Sequence, residues 1–201
     1  MKKNQFTPLS LTLGSLFVAL TAIGANITSI IPGLSIGGVP ITLQTFFAVL
    51  AGLILGSKLG AFSMFVYMML GLVGVPVFAQ FTGGPMTILS PTFGFILSFI
   101  LIAYIAGKII EKRQTLLAYI SAALVAIALN YLIGTNLMYL AYMFWFEAPS
   151  GLSYKLVWIW MLPTLPKDII LSIVSGVLAY RLQRNGITKI APAYEKKSAS
   201  F

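Results

Sequence analysis

A cation and an anion stand together at the head of an apolar segment in Pro163-Thr164-Leu165-Pro166-Lys167-Asp168, apart from every basic cluster of the chain. Pro166 suits the first turn of a helix, where a missing N–H costs nothing, so Asp168 falls near a helix N-terminus. The macrodipole and free N–H groups there favour an anion. One reading is a stabilised helix start. The other is a ligand anchor, because ionisable side chains at membrane depth cost about 2.5–3.5 kcal/mol each on insertion scales and face interior cavities. Thr42 and Gln44, just after Gly37-Gly38-Val39-Pro40, offer hydrogen-bond donors and acceptors at the head of another apolar run. They serve either a ligand or interhelical bonding. Asn130, inside a long apolar run, is open to the same two readings.

Other chemistries are excluded by what the chain lacks. It has no cysteine and no histidine, which removes disulfides, thiolate nucleophiles, imidazole bases and the usual ligands of zinc, copper or haem. No metal or cofactor is expected. Four acidic residues with no clustered pair argue against carboxylate catalysis and proton relays. Gly56-Ser57-Lys58-Leu59 has neither the spacing nor the terminal Ser/Thr of a phosphate-binding loop, so the chain does not hydrolyse ATP and no enzyme activity is expected.

The elements that must position these residues are membrane helices. The chain of 201 residues is 59% hydrophobic and 8% charged, against about 25% charged in a soluble domain, so lipid is its solvent. Apolar runs at 9–31, 41–55, 59–72, 91–110, 115–146 and 166–182 predict one all-α, polytopic domain of six transmembrane helices. The second and third runs, parted by Gly56, Ser57 and Lys58, form a tight hairpin. The fifth exceeds one crossing and extends Tyr139, Tyr142 and Trp145 into the interface. The first exceeds the about 7–15 residues of a secretory h-region and is read as a retained helix.

Charge follows the same count. Basic residues sit at Lys2 and Lys3, at Lys58, at Lys108, Lys112 and Arg113, and at Arg181, Arg184, Lys189, Lys196 and Lys197. Segments 32–40 and 73–90 carry no charge, and 147–165 only Glu147 and Lys155. The positive-inside rule puts both termini in the cytoplasm and these three loops outside. The net charge of +9 therefore reports topology, with no nucleic-acid partner. Segment 73–90 is rich in glycine and proline, and non-helical backbone at membrane depth must be buried or line a cavity, so it is expected to fold back as a lid, with an ordinary interfacial loop as the other reading. Ser15 and Ala19, extended by Ala22 and Ala25, make a narrow surface on the first helix that accepts a second helix, from this bundle or from another subunit. Gly52, Gly56 and Gly60 read as internal close packing.

Four segments together resemble the BioY family, the biotin-specific substrate-binding subunits of energy-coupling factor (ECF) transporters. They are Gly38-Val39-Pro40-Ile41-Thr42-Leu43-Gln44, Gly71-Leu72-Val73-Gly74-Val75-Pro76-Val77-Phe78, Gly83-Gly84 with Leu89-Ser90-Pro91-Thr92-Phe93-Gly94-Phe95, and the Pro163 to Asp168 stretch, in order and spacing across nearly the whole chain. The resemblance implies a six-helix subunit of the bacterial cell membrane whose extracellular loops cap a pocket for biotin. Such a subunit associates with a transmembrane coupling protein and two cytoplasmic ATPases. It implies ligand contacts at Thr42, Gln44, Phe78, Thr92, Phe93, Lys167 and Asp168, with Phe78 and Phe93 covering ring and chain. It also implies a coupling-protein interface at Ser15, Ala19 and Ala22. The chain departs from the family at Leu171, where a lysine is common, and at Phe93 and Ser90, where glycine is common. Lys167 shares a helix face with position 171 and approaches the same region. The altered pocket leaves lipoate or a biotin precursor open beside biotin, and a structural or assembly subunit without ligand stands as the reading from another class.

Overall fold

The computed structural model describes residues 8–27, 35–36 and 39–185; the glycines at 37 and 38, the end of the first apolar run and the lysines at 2, 3, 189, 196 and 197 lie outside them. The described residues form seven α-helices, a hairpin of two two-residue strands and short turns: α1 (Pro8–Asn26), β1 (Ser35–Ile36), β2 (Val39–Pro40), α2 (Gln44–Leu55), α3 (Ser57–Leu72), α4 (Phe93–Lys112), α5 (Leu116–Phe144), α6 (Tyr154–Met161) and α7 (Leu165–Arg184). The strands pair antiparallel, Ser35 with Pro40 and Ile36 with Val39. Among the described residues, α1, α4 and α5 are long and apolar enough to cross a membrane; α6 and α7, bent by 52° at their junction, pass together as a fourth span, and α2 and α3 are shorter apolar helices.

The helices form because their faces are apolar on both sides, for the bundle and for lipid. Leu16, Ile23, Phe62, Leu101, Leu132 and Ile170 all remain exposed on helix surfaces, as a chain dissolved in hydrocarbon requires. Inside, Leu53, Met64, Tyr67, Phe99, Ile102 and Tyr119 are fully buried. Helix α5, at 29 residues, is about 44 Å long at 1.5 Å per residue and overshoots a hydrocarbon core of about 30 Å.

Two local structures differ from the sequence reading. Only Gly56, with φ of 83°, separates α2 from α3, so Ser57 and Lys58 belong to the first turn of α3 rather than to a connection. A Cβ on Gly60 would stand 2.8 Å from Gly52 Cα, and that absence of side chains lets the two helices meet so near their joint. The second difference is α6, a helix inside the 147–165 stretch expected to be a loop. Ser153 Oγ caps it by accepting from Leu156 N. Its Val157 and Met161, one turn apart, pack with Met138 of α5 into a small second core, while Tyr154 and Trp160 meet Tyr139 and Tyr142 edge-to-face.

One end of the bundle is closed by backbone-to-backbone contact. A Cβ on Gly52 would lie 2.3 Å from Ala103 O, one on Gly107 2.2 Å from Ser57 N, and one on Gly176 2.9 Å from Ile120 Cα. Glu111 accepts from both Ser57 N (2.9 Å) and Ser57 Oγ (2.6 Å) and pairs with Lys108 at 3.5 Å. Tyr119 at the start of α5 donates to Gln183 near the end of α7. The basic residues Lys58, Lys108, Lys112, Arg113, Arg181 and Arg184 occupy helix ends and a connection on this side. At the opposite end Leu43 N donates to Gly24 O and the N-termini of α2, α4 and α7 surround a cavity.

Candidate functional site

The segment between α3 and α4 builds one wall of that cavity. It turns twice, at Ala79–Phe81 and in a 3-10 turn at Pro85–Leu89, with a β-bridge between Phe78 and Thr82. The turn puts Gln80 and Phe81 at φ of 60° and 54°, a left-handed conformation uncommon for non-glycine residues. Three tethers hold it over the bundle: Phe81 N donates to Asn26 Oδ1 of α1 at 2.7 Å, Gly84 N to Gly71 O of α3 at 2.7 Å, and Trp145 Nε1 beyond α5 to Leu89 O at 2.9 Å. Phe78 turns inward, 2% exposed, with its ring over Gly71, where a Cβ would come within 2.0 Å, and edge-on to Tyr67.

The cavity, partly open to the outside, is about 320 Å³, the size range of small-molecule sites. All seven residues expected to contact ligand line it: Thr42 and Gln44 from the head of α2, Phe78 from the cap, Thr92 and Phe93 from the head of α4, Lys167 and Asp168 from the first turn of α7. Ile96, Phe99 and Met161 add apolar wall; Asn130, Tyr131 and Thr164 add polar groups. Leu171 does not line it.

The polar side chains are linked. Lys167 Nζ lies 2.8 Å from Asp168 Oδ1 and donates to Thr42 O at 2.5 Å, joining the head of α7 to the entry of α2. The other carboxylate oxygen, Asp168 Oδ2, accepts from Tyr131 Oη at 2.7 Å. Tyr131 spends its hydrogen there, and Thr164 Oγ1, 2.8 Å from the tyrosine oxygen, has one hydrogen for two acceptors, Tyr131 Oη and Met161 O at 2.9 Å. A carboxylate 8% exposed thus has an ammonium on one oxygen and a hydroxyl chain on the other, the compensation a buried charge requires. Asp168 lies in the first turn of α7 without capping it and pairs with Lys167 at the cavity. Gln44 is engaged at both ends, its Oε1 accepting from Thr42 Oγ1 at 3.1 Å and its Nε2 donating to Tyr67 Oη at 2.6 Å, and Tyr67 passes its own hydrogen to Val77 O at 2.9 Å. That chain ties the head of α2 to the cap.

Tyr131 and Thr164 are absent from the sequence-derived set. A tyrosine in an apolar helix carries no local signal for a partner 37 residues away; Thr164 sits within the Pro163 to Asp168 stretch, where only the charges stood out.

Ser15 and Ala19 do not line the cavity and are exposed on α1, whereas Ala22 is half-buried and packs against the core. The face α1 turns to the bundle is Gly14, Phe17, Val18, Thr21 and Ala25. In-bundle packing therefore does not account for Ser15 and Ala19, whereas Ala25 is used internally.

A family model described as the BioY family matches residues 1–187. A protein named putative biotin transporter BioYB from Bacillus subtilis (strain 168) is 39% identical over 187 residues, covering 92% of each chain. A probable biotin transporter BioY from Pyrococcus horikoshii is 41% identical over 174 residues, 87% of this chain and 96% of the other. Among solved structures, the S-component for biotin from an ECF-type ABC transporter superposes with a TM-score of 0.74 at 24% identity, over 89% of this chain and 95% of that one, a likeness of fold.

Proposed function

We propose, from the premise that this chain belongs to the BioY family, that it is the substrate-binding subunit of an ECF-type importer and captures biotin in the cavity at the heads of α2, α4 and α7. The observation that carries this reading is the ammonium of Lys167, held at the cavity wall by Asp168 and Thr42 O opposite apolar and aromatic groups. That layout suits a ligand with a carboxylate at one end and an apolar ring and chain. Asp168, with both oxygens occupied, organises Lys167; Lys167 pairs with the ligand carboxylate; Phe78 and Phe93 cover ring and chain; Thr42, Gln44 and Thr92 complete the polar rim.

Six crossings fit the sorting of helix ends. Successive helices bring the basic residues to the glycine-packed end and the uncharged segments to the cavity end, so the positive-inside rule gives cytoplasmic termini and an extracellular cap. With α2 and α3 short, α6 and α7 together make the sixth crossing. The exposed Ser15 and Ala19, with Ala22, form the surface for a transmembrane coupling protein, which connects the subunit to two cytoplasmic ATPases. The relatives are named as biotin transporters, and the protein is not an enzyme.

Mass spectrometry of ligand released from detergent-purified protein tests the reading, followed by calorimetric titration with biotin. Biotin recovered at near-stoichiometric amount is expected. Lipoate in its place would reassign the substrate, and no small molecule together with no biotin binding would leave the structural-subunit reading.

A further inference from the structure

Deeper along the bundle than Lys167, the cavity meets a polar pair outside the seven expected contacts. Ser98 stands five residues into α4 beyond Phe93, about 7–8 Å down the helix axis, and Asn130 faces it from α5. Both are nearly inaccessible to bulk water, at 1% and 2% exposure, yet Asn130 lines the cavity. The register of the two helices is fixed on the cavity-end side of the pair, with Gly94 against Leu137 and the Phe95 ring over Gly134.

Hydrogen counting sets the direction of the amide. Ser98 Oγ is 2.7 Å from Phe95 O and 2.7 Å from the Asn130 amide atom assigned as Oδ1. A serine hydroxyl has one hydrogen, and neither a backbone carbonyl nor an amide oxygen has one to give. Two oxygens at 2.7 Å would share it, and one contact would be lone pair against lone pair. The two ends of an asparagine amide are isosteric and are distinguished by their partners. With the amide turned, the hydroxyl donates to Phe95 O and accepts from the Asn130 NH2, and both short contacts are satisfied.

We infer that Asn130 therefore presents its carbonyl oxygen to the cavity and binds an N–H group of the ligand. The inference rests on the transport reading above and deepens it. In biotin the acceptor takes a ureido N–H at the end of the molecule remote from the carboxylate, while Lys167 takes the carboxylate near the rim. A ligand with the same carboxylate but no N–H, such as lipoate, leaves a buried acceptor unpaired, a loss that binding sites built on hydrogen bonds convert into strong rejection. A biotin precursor that keeps the cyclic urea is accepted.

Calorimetric titration of wild type, Asn130→Leu and Ser98→Ala with biotin and with biotin methylated at either ureido nitrogen tests this. In wild type, methylation of one of the two nitrogens should weaken binding about tenfold or more. In Asn130→Leu that difference should fall to within about twofold, because the acceptor is gone and both ligands bind weakly. Ser98→Ala, which touches no ligand atom and leaves the helix intact, should weaken biotin several-fold and the methylated analogue hardly at all. An undiminished methylation penalty in Asn130→Leu overturns the inference; if that variant does not fold, equal losses for both ligands in Ser98→Ala overturn it instead. Wild-type protein that binds no biotin overturns the transport reading itself, and this inference with it.

Discussion

Replacing Lys167 by Met removes the ammonium and keeps most of the side chain's length. In the structure Nζ has three hydrogens, of which Asp168 Oδ1 at 2.8 Å and Thr42 O at 2.5 Å take two, leaving one for a ligand carboxylate. A hydrogen bond to a charged group contributes about 1.5–3 kcal/mol. The lysine side chain is 29% exposed, so solvent screening places its contribution at the lower end, about 1.5 kcal/mol or roughly tenfold in Kd. The assay is a cycle of four titrations, wild type and Lys167→Met each with biotin and with biotin amide. Wild type should prefer the acid about tenfold; the variant should bind both alike, about as wild type binds the amide. Retention of the wild-type amide affinity shows the cavity intact despite the loss of Asp168's ionic partner. A variant that still prefers the acid tenfold, or a wild type that binds the amide as tightly, refutes the assignment of Lys167.

Asp168→Asn leaves Lys167 without its ion pair and should weaken biotin binding about tenfold or more; unchanged affinity in the same titration would remove Asp168 from the site. Tyr131→Phe deletes the donor to Asp168 Oδ2 and should cost about 1–3 kcal/mol of stability, seen as a melting midpoint in detergent lower by several degrees; an unshifted midpoint would show that the carboxylate does not need the hydroxyl. Ala19→Trp should abolish cellular uptake while purified protein keeps its biotin affinity, and joint loss of both would mean misfolding rather than failed docking. Gly52→Ala puts a methyl 2.3 Å from Ala103 O, and no monodisperse protein should elute on size exclusion.

The parts of the fold that were legible in the sequence are those governed by local chemistry. Hydropathy marked the apolar stretches, Pro166 and Asp168 marked the head of α7, and the glycine and proline content of 73–90 marked irregular backbone that lines a cavity. The helix α6 was legible in principle, since Ser153 precedes an apolar octet with Val157 and Met161 one turn apart. The flanking Gly151 and Pro163 and the charge of Lys155 made the stretch read as loop. What the sequence could not supply was pairing across distance. Tyr131 with Asp168, Thr42 O with Lys167 and Ser98 with Asn130 join residues 37, 125 and 32 apart, and each depends on how helices settle against one another rather than on any motif. Lys167 was found only because a charge at the head of an apolar run is conspicuous.

The glycines divide the molecule into two materials. At the basic end, Gly52, Gly60, Gly107 and Gly176 abut main chain, whereas toward the cavity Gly24, Gly71, Gly94 and Gly134 abut the side chains of Phe47, Phe78, Leu137 and Phe95; Gly83 of the cap, against Val75 O, and Gly14, against the Ser63 and Leu59 side chains, are the exceptions. Main chain pressed on main chain has no alternative rotamer to adopt, so that half behaves as a solid foundation. Aromatic rings and leucines can swing, so the upper half is the compliant one. Opening to admit a guest is therefore a task for rotating side chains and a tethered rim, and the footing need not shift.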